Sequence, residues 1–206
     1  IKSLVSIISP SSGRILVDGQ DLSENRLAIK RKIGYVADSP DLFLRLTANE
    51  FWELIASSYD LSSSDLEASL ARLLNVFDFA ENRYQVIETL SHGMRQKVFV
   101  IGALLSDLDI WVLDEPLTGL DPQAAFDLKQ MMKEHAQKGK TVLFSTHVLE
   151  VAEQVCDRIA ILKKGHLIYC GKVEDLRRDN PDQSLESIYL SLAGRKEEVS
   201  DASQGH

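Results

Sequence analysis

An apolar run that ends abruptly in two acids and a proline constrains this chain more than any other stretch. Residues 110–116 read Ile-Trp-Val-Leu-Asp-Glu-Pro. Four consecutive bulky residues suit a strand buried on both faces, the condition of a strand inside a parallel sheet. Pro116 has no N–H to give to a neighbouring strand, so the run stops there. Asp114 and Glu115 are thereby delivered to the carboxyl end of a buried strand, where open α/β sheets place their ligands. Two acids at the point where a strand meets water also have a purely structural reading. The seven residues alone do not separate the two.

The rest of the chain alternates strand and helix around one long helical stretch. Ile1, Leu4, Val5 and Ile8 fall on one helical face, and Pro10 and Gly13 mark its exit. Residues 14–17 predict a strand running into an Asp18-Gly19 hairpin turn. Residues 33–36 predict a second short strand, followed by a polar loop over 37–41. Thr47 with Glu50, and Ser64 with Glu67, have the spacing of capping boxes that open helices. The second of these helices carries Leu66, Leu70, Leu73 and Leu74.

Residues 44–107 show no strand signal. A helix from about Pro122 to Lys138, with Gly139 as its C-cap, precedes a strand over 141–145. A helix with Val148, Leu149, Ala152 and Val155 follows. Strands over 158–162 and 166–169 flank a Lys164-Gly165 turn. Leu185, Ile188, Tyr189 and Leu192 mark a last amphipathic helix, and the polar residues after Gly194 are expected to be disordered. This predicts an α/β core at 1–43 and 108–171, an inserted α-helical subdomain at 44–107 and a C-terminal helical extension with its tail at 172–206.

Composition sets limits on function. The chain has 206 residues and a formal net charge of −8. An acidic balance disfavours a nucleic-acid surface, which needs clustered Lys and Arg, so no nucleic acid is expected as a partner. Cys156 and Cys170 fit no metal spacing and are expected to be buried, reduced thiols. The longest apolar run, 98–105, is too short to cross a bilayer. Any membrane role would therefore come through a partner.

Five stretches, in order, resemble one family. Leu90-Ser91-His92-Gly93-Met94-Arg95-Gln96-Lys97 resembles the LSGGQ signature of ATP-binding-cassette (ABC) ATPases. The run ending Asp114-Glu115-Pro116 resembles their Walker B strand, and Thr118-Gly119-Leu120-Asp121 their D-loop. Ser145-Thr146-His147 resembles the H-loop, and residues 33–40 the Q-loop region. No single motif is decisive, but the ordered set is highly specific.

The resemblance implies a P-loop NTPase (RecA-like) core with a mainly parallel sheet, an antiparallel β segment and an inserted helical subdomain. It implies ATP and Mg²⁺ as ligands. Asp114 would hold the metal, Glu115 would be the catalytic base, and His147 would contact the γ-phosphate. Ser91 and Gly93 would meet the ATP held by a second nucleotide-binding subunit, in a homodimer or heterodimer. Gly93 would leave room there for the ligand. Asp121 would likewise bind ATP across the dimer and couple the two sites, and it can also N-cap the helix that begins at Pro122.

Two departures qualify this. Asp38 stands where the family's Q-loop has Gln; an acid there can still ligate Mg²⁺. No G-x-x-x-x-G-K-[ST] loop occurs in the chain, so Ile1 reads as an internal position of a longer protein and the core as N-terminally truncated. The family's strand before that loop lies between those at 141–145 and 158–162. The chain alone is expected to be unstable and inactive.

For the intact protein, the resemblance implies the ATP-hydrolysing subunit of an exporter-type (ABC-2-like) transporter. It would sit peripherally on the cytoplasmic face of the membrane and drive a separate transmembrane permease. The contact surface would lie around Leu42, Phe43, Leu44, Arg45, Phe51 and Trp52. The alternatives are a soluble ABC ATPase acting on ribosomes or DNA, and a non-hydrolysing regulatory fragment.

Overall fold

The computed structural model describes residues 1–38, 43–181 and 183–202 and divides into two units, residues 1–145 and 146–206. The first unit is built on a three-stranded parallel sheet of order β3-β4-β5, with β3 at Ile33–Val36, β4 at Ile110–Asp114 and β5 at Thr141–Ser145. Trp111, Val112 and Leu113 of the central strand are buried, as the unbroken apolar run requires. Register is continuous: Val36 lies opposite Leu113, and Asp114 lies opposite Ser145. Strand β5 pairs with β4 alone among the described residues, and its Leu143 is 43% exposed.

The hairpin β1 (Leu16–Val17) and β2 (Gln20–Asp21) turns at Asp18 and Gly19. Both have positive φ, 51° and 75°, as a two-residue type I′ turn demands. A short helix α1 (Arg26–Lys30) leads into β3 and buries Ile29. Residues 1–8 form turns rather than the expected helix. Ser6 has a φ of 59°, outside the helical region, and Ile8 is exposed while Val5 is buried.

Helix α2 (Ala48–Ser58) begins with the predicted capping box at Thr47 and Glu50. Helix α3 (Ser63–Val76) is capped two residues earlier than predicted, by Ser62 accepting from the Asp65 N–H. Glu67 is instead engaged by Arg83 through two hydrogen bonds of 3.0 and 2.5 Å, and a charged fork is a stronger partner than an exposed backbone N–H. Helix α4 (His92–Leu104) is buried along most of its length, and α5 (Pro122–Gln137) packs on β5.

Phe51 and Trp52 are core residues, not surface ones. The Trp52 indole N–H donates to the Val98 carbonyl at 2.9 Å, and Phe51 packs edge-on against Phe99. Phe43 is half-buried with its ring 5.4 Å from that of Phe51; Leu42 lies outside the described residues. Among the described residues of the expected partner surface, only Arg45 is exposed outright, and Leu44 is half-buried.

The second unit is an antiparallel pair, β6 (Arg158–Lys163) and β7 (His166–Lys172), with α6 (Leu149–Val155), α7 (Val173–Asp179) and α8 (Leu185–Ala202). Ala152, Ile159, Ile161, Val173, Leu176, Leu185 and Ile188 form its core. Helix α8 continues through Gly194 to Ala202, where disorder is the sequence expectation; Arg, Lys, Glu and Ala in that stretch are strong helix formers. Cys156 is half-buried and Cys170 is exposed, so only the first approaches the expected burial. Burial pushes the Cys156 thiol up to about 11.

One buried feature carries no sequence signal. His135, near the end of α5, is 2% exposed and stacks on Trp111, their rings 3.7 Å apart and 15° from parallel. Its Nε2 and the Trp111 indole N–H are both buried without a protein partner. Burial holds the imidazole pKa below its ordinary value, and Lys140 adds to this. Asp107, 3.6 Å away, opposes it.

The folded state therefore favours the neutral ring. As pH falls through the ordinary imidazole range near 6.5, the unfolded chain takes up the proton first and stability declines, until the folded ring also protonates. We expect the melting temperature to drop between about pH 6.5 and 5. Thermal unfolding of His135→Phe over the same range should show a flatter profile.

Candidate functional site

The site grows from the end of β4. Parallel pairing on both sides fixes where the strand stops, and two carboxylates follow the last buried residue, Leu113. The facing residue on β5 is Ser145. Its hydroxyl donates to Asp114 Oδ1 at 2.5 Å and accepts the Glu115 N–H at 3.0 Å. One hydroxyl thus holds both acidic positions, and its short bond to Asp114 is that of a hydroxyl on a carboxylate.

Glu115 has a φ of 48°, a left-handed conformation costly for a residue with a Cβ. Pro116 also limits the residue before it. The backbone strain turns the chain sharply between two half-buried acids, so Asp114 and Glu115 are not successive strand residues on opposite faces. Sequence reading located the pair but had no signal for this turn or for Ser145 as its support.

Asp38 is exposed two residues beyond the end of β3. Val36 pairs with Leu113, so the chain leaves β3 and β4 at the same edge of the sheet. Asp38 and Asp114 both act on the phenol of Tyr35: its burial raises its pKa, and the two negative charges raise it further. Among the described residues, no group of three His, Cys, Asp or Glu side chains could by itself hold a metal. A divalent cation that draws one or two carboxylates from the protein and the rest from phosphates and water fits such a donor set.

Ser91 N-caps α4, accepting the Met94 N–H at 3.3 Å. No acidic residue stands in the first turn of α4, which leaves its positive end uncompensated there. A Cβ on Gly93 would lie 2.3 Å from the Gly119 carbonyl oxygen of the same chain. The glycine is required by that approach within the chain. Gly119, at φ 79°, in turn lies under the His92 ring. His92 therefore packs on the D-loop.

Asp121 N-caps α5 through the Ala124 N–H at 2.9 Å and also pairs with Lys97 at 2.7 Å. The cap and then Lys97 hold its carboxyl below the usual carboxylate range. His147 follows β5 two residues after Ser145, at an exposed turn where Thr146 Oγ1 accepts the Val148 N–H. It belongs to the second unit, whereas the other site residues belong to the first.

A sequence model of the family described as ABC transporter matches residues 1–118. The ABC-type transporter ATP-binding protein EcsA of Bacillus subtilis is 33% identical over 93% of this chain and 78% of its own length. The Nod factor export ATP-binding protein I of Rhizobium leguminosarum bv. viciae is 32% identical over 91% of this chain, which spans 60% of it.

Among solved structures, an ATP-binding subunit of an ABC transporter superposes with a TM-score of 0.86 at 33% identity, over 93% of this chain and 81% of that one. A dimeric post-hydrolysis state of the ATP-binding cassette MJ0796, bound to ADP and Pi, gives 0.73 at 25% identity, over 84% and 78%. With its parallel three-stranded sheet and added antiparallel strands, the fold is that of a P-loop NTPase. The chain belongs to the ABC transporter family, among its ATP-binding subunits.

Proposed function

We propose that the full-length protein hydrolyses ATP as one of two nucleotide-binding subunits and drives export through a separate membrane permease. The observation that carries this is the Asp114–Ser145–Glu115 arrangement at the carboxyl end of β4. Asp114, with Asp38 near it on the same sheet edge, would hold Mg²⁺, which supplies charge neutralisation to the phosphates when bound. Glu115 accepts the proton of the attacking water as its oxygen bonds to the γ-phosphorus; the β–γ bridging oxygen leaves with ADP. His147 contacts the γ-phosphate.

Ser91 and the first turn of α4 face the nucleotide of the second subunit, where helix N–H groups suit an anion. The dimeric relative bound to ADP and Pi supports a two-subunit assembly. Relatives named for Nod factor export and linearmycin resistance support export, and the ordinary place of such a subunit is the cytoplasmic face of the membrane. No helix among the described residues is long and apolar enough to cross a membrane.

The partner surface moves to the exposed residues beside the segment first suggested. The backbone at Leu44, Leu46 and Thr47 is hydrogen-bonded or bridged to that at residues 86–88, so Arg45, Tyr84 and Val86 lie on one stretch of surface. Tyr84 is 71% exposed, with the Arg83 guanidinium 5.4 Å from its ring. An exposed aromatic beside an arginine is a common binding anchor.

Three outcomes test the reading. Glu115→Gln in the full-length protein should retain ATP binding and lower turnover by about 10²–10⁴-fold, measured as phosphate release; unaltered turnover refutes the assigned base. Ser145→Ala should lower kcat by about tenfold, because it frees the Glu115 N–H and the Asp114 carboxylate from their shared support. Tyr84→Asp should abolish copurification with the membrane subunit while ATPase activity of the detached protein persists. Retained copurification excludes this surface.

A further inference from the structure

Lys97 lies in the second turn of α4, with its side chain 13% exposed. Its ammonium reaches Asp121 Oδ2 at 2.7 Å and the Phe77 carbonyl at 2.9 Å. Phe77 is the C-cap of α3, and Asp121 is the N-cap of α5. One cation therefore joins three helices where two of them end.

The surrounding contacts repeat this pattern. Gln96, 3% exposed, donates to the Pro116 carbonyl at 3.2 Å. The Gly93 backbone abuts the Gly119 carbonyl, and the His92 ring covers Gly119. The first two turns of α4 thus lie along residues 116–121, which connect the two acids to α5.

Both oxygens of Asp121 already have partners in their own chain: Oδ1 takes the Ala124 N–H and Oδ2 the Lys97 ammonium. To reach a nucleotide on another subunit, the carboxylate would have to release its cap or a largely desolvated ammonium. Leaving that ammonium unpaired is costly.

We propose that Lys97 is a positioning residue for ATP hydrolysis. It locks the Asp121 carboxylate to the signature helix, so that the D-loop and the signature surface of one chain move as one body. The inference rests on the ATPase reading above and assigns Asp121 a role through Lys97 in place of direct contact with ATP. The segment that begins at the chain's own acids is thereby tied to the surface presented to the other subunit's nucleotide. A displacement at Pro116 is passed to the first two turns of α4 through Gln96, the His92–Gly119 packing and the Lys97–Asp121 pair.

The test is a double-mutant cycle in the full-length protein, read as kcat and KM for ATP. Asp121→Ser keeps an N-cap hydroxyl and removes the ion pair. Lys97→Met keeps the length of the stem and removes the charge. Each should lower kcat by about tenfold with KM changed by less than about twofold, and the double variant should be no slower than the slower single one. Lys97→Arg, which retains the charge, should recover activity to within about threefold of wild type.

Unchanged kcat in Lys97→Met, or losses that multiply in the double variant, overturn the proposal. So does a rise in KM confined to Asp121→Ser, which would place that carboxylate on the nucleotide. Thermal unfolding of the same variants guards against a general loss of fold: rates that fall only where the protein has begun to melt also overturn it. A wild-type protein that does not turn over ATP fails the functional reading instead, before any variant is compared.

Discussion

The register of β4 against β5 is the constraint on which the rest depends. Both faces of β4 are covered, so a slip of one residue would draw the Asp114 carboxylate toward positions that Trp111, Val112 and Leu113 now fill. In the observed register Asp114 stands beside Ser145, and the buried trio of Trp111, Val112 and Leu113 stays inside. The burial is worth about 1.5–3 kcal/mol for each such side chain, and that preference makes a slipped alignment untenable. Core packing therefore sets the geometry of two acids that are themselves only half-buried. The polar contacts at the strand end follow from an apolar decision made one residue earlier.

Most of the architecture was legible because its determinants are local. The uninterrupted apolar run, Pro116, the Asp18-Gly19 turn and the Thr47–Glu50 box each specify backbone within a few residues, and the structure has them as read. What failed depended on partners far away in sequence. Ser64 with Glu67 has the spacing of a cap, but Glu67 was claimed by Arg83, sixteen residues on. Phe51 and Trp52 resembled a binding surface, but α4 covers them. Residues 1–8 have helical periodicity and adopt turns, because so short a segment barely offsets the cost of nucleating a helix.

The site divides in the same way. The residue types and order that mark Asp114, Glu115, Ser91, Asp121 and His147 are visible in the chain itself. The conformation of Glu115, the double role of Ser145 and the staple at Lys97 are not, because each depends on tertiary contact. His135 shows the limit plainly. A lone histidine late in a helix has no distinguishing neighbours in sequence, yet it stacks on the second residue of the central strand.

The mutual fit of His92, Gly93 and Gly119 bears on which sequences this fold can reach by single changes. Gly119 cannot gain a side chain, both because its φ is positive and because the His92 ring occupies the space. Gly93 cannot gain one because the Gly119 carbonyl stands 2.3 Å from where a Cβ would be. Replacing His92 with a smaller residue would relieve one of these bars and leave the other two. The two glycines are thus closed to variation one step at a time. Diversity at this corner of the molecule can enter through position 92 first, and a library that varies the three positions independently will consist mainly of sequences that do not fold here.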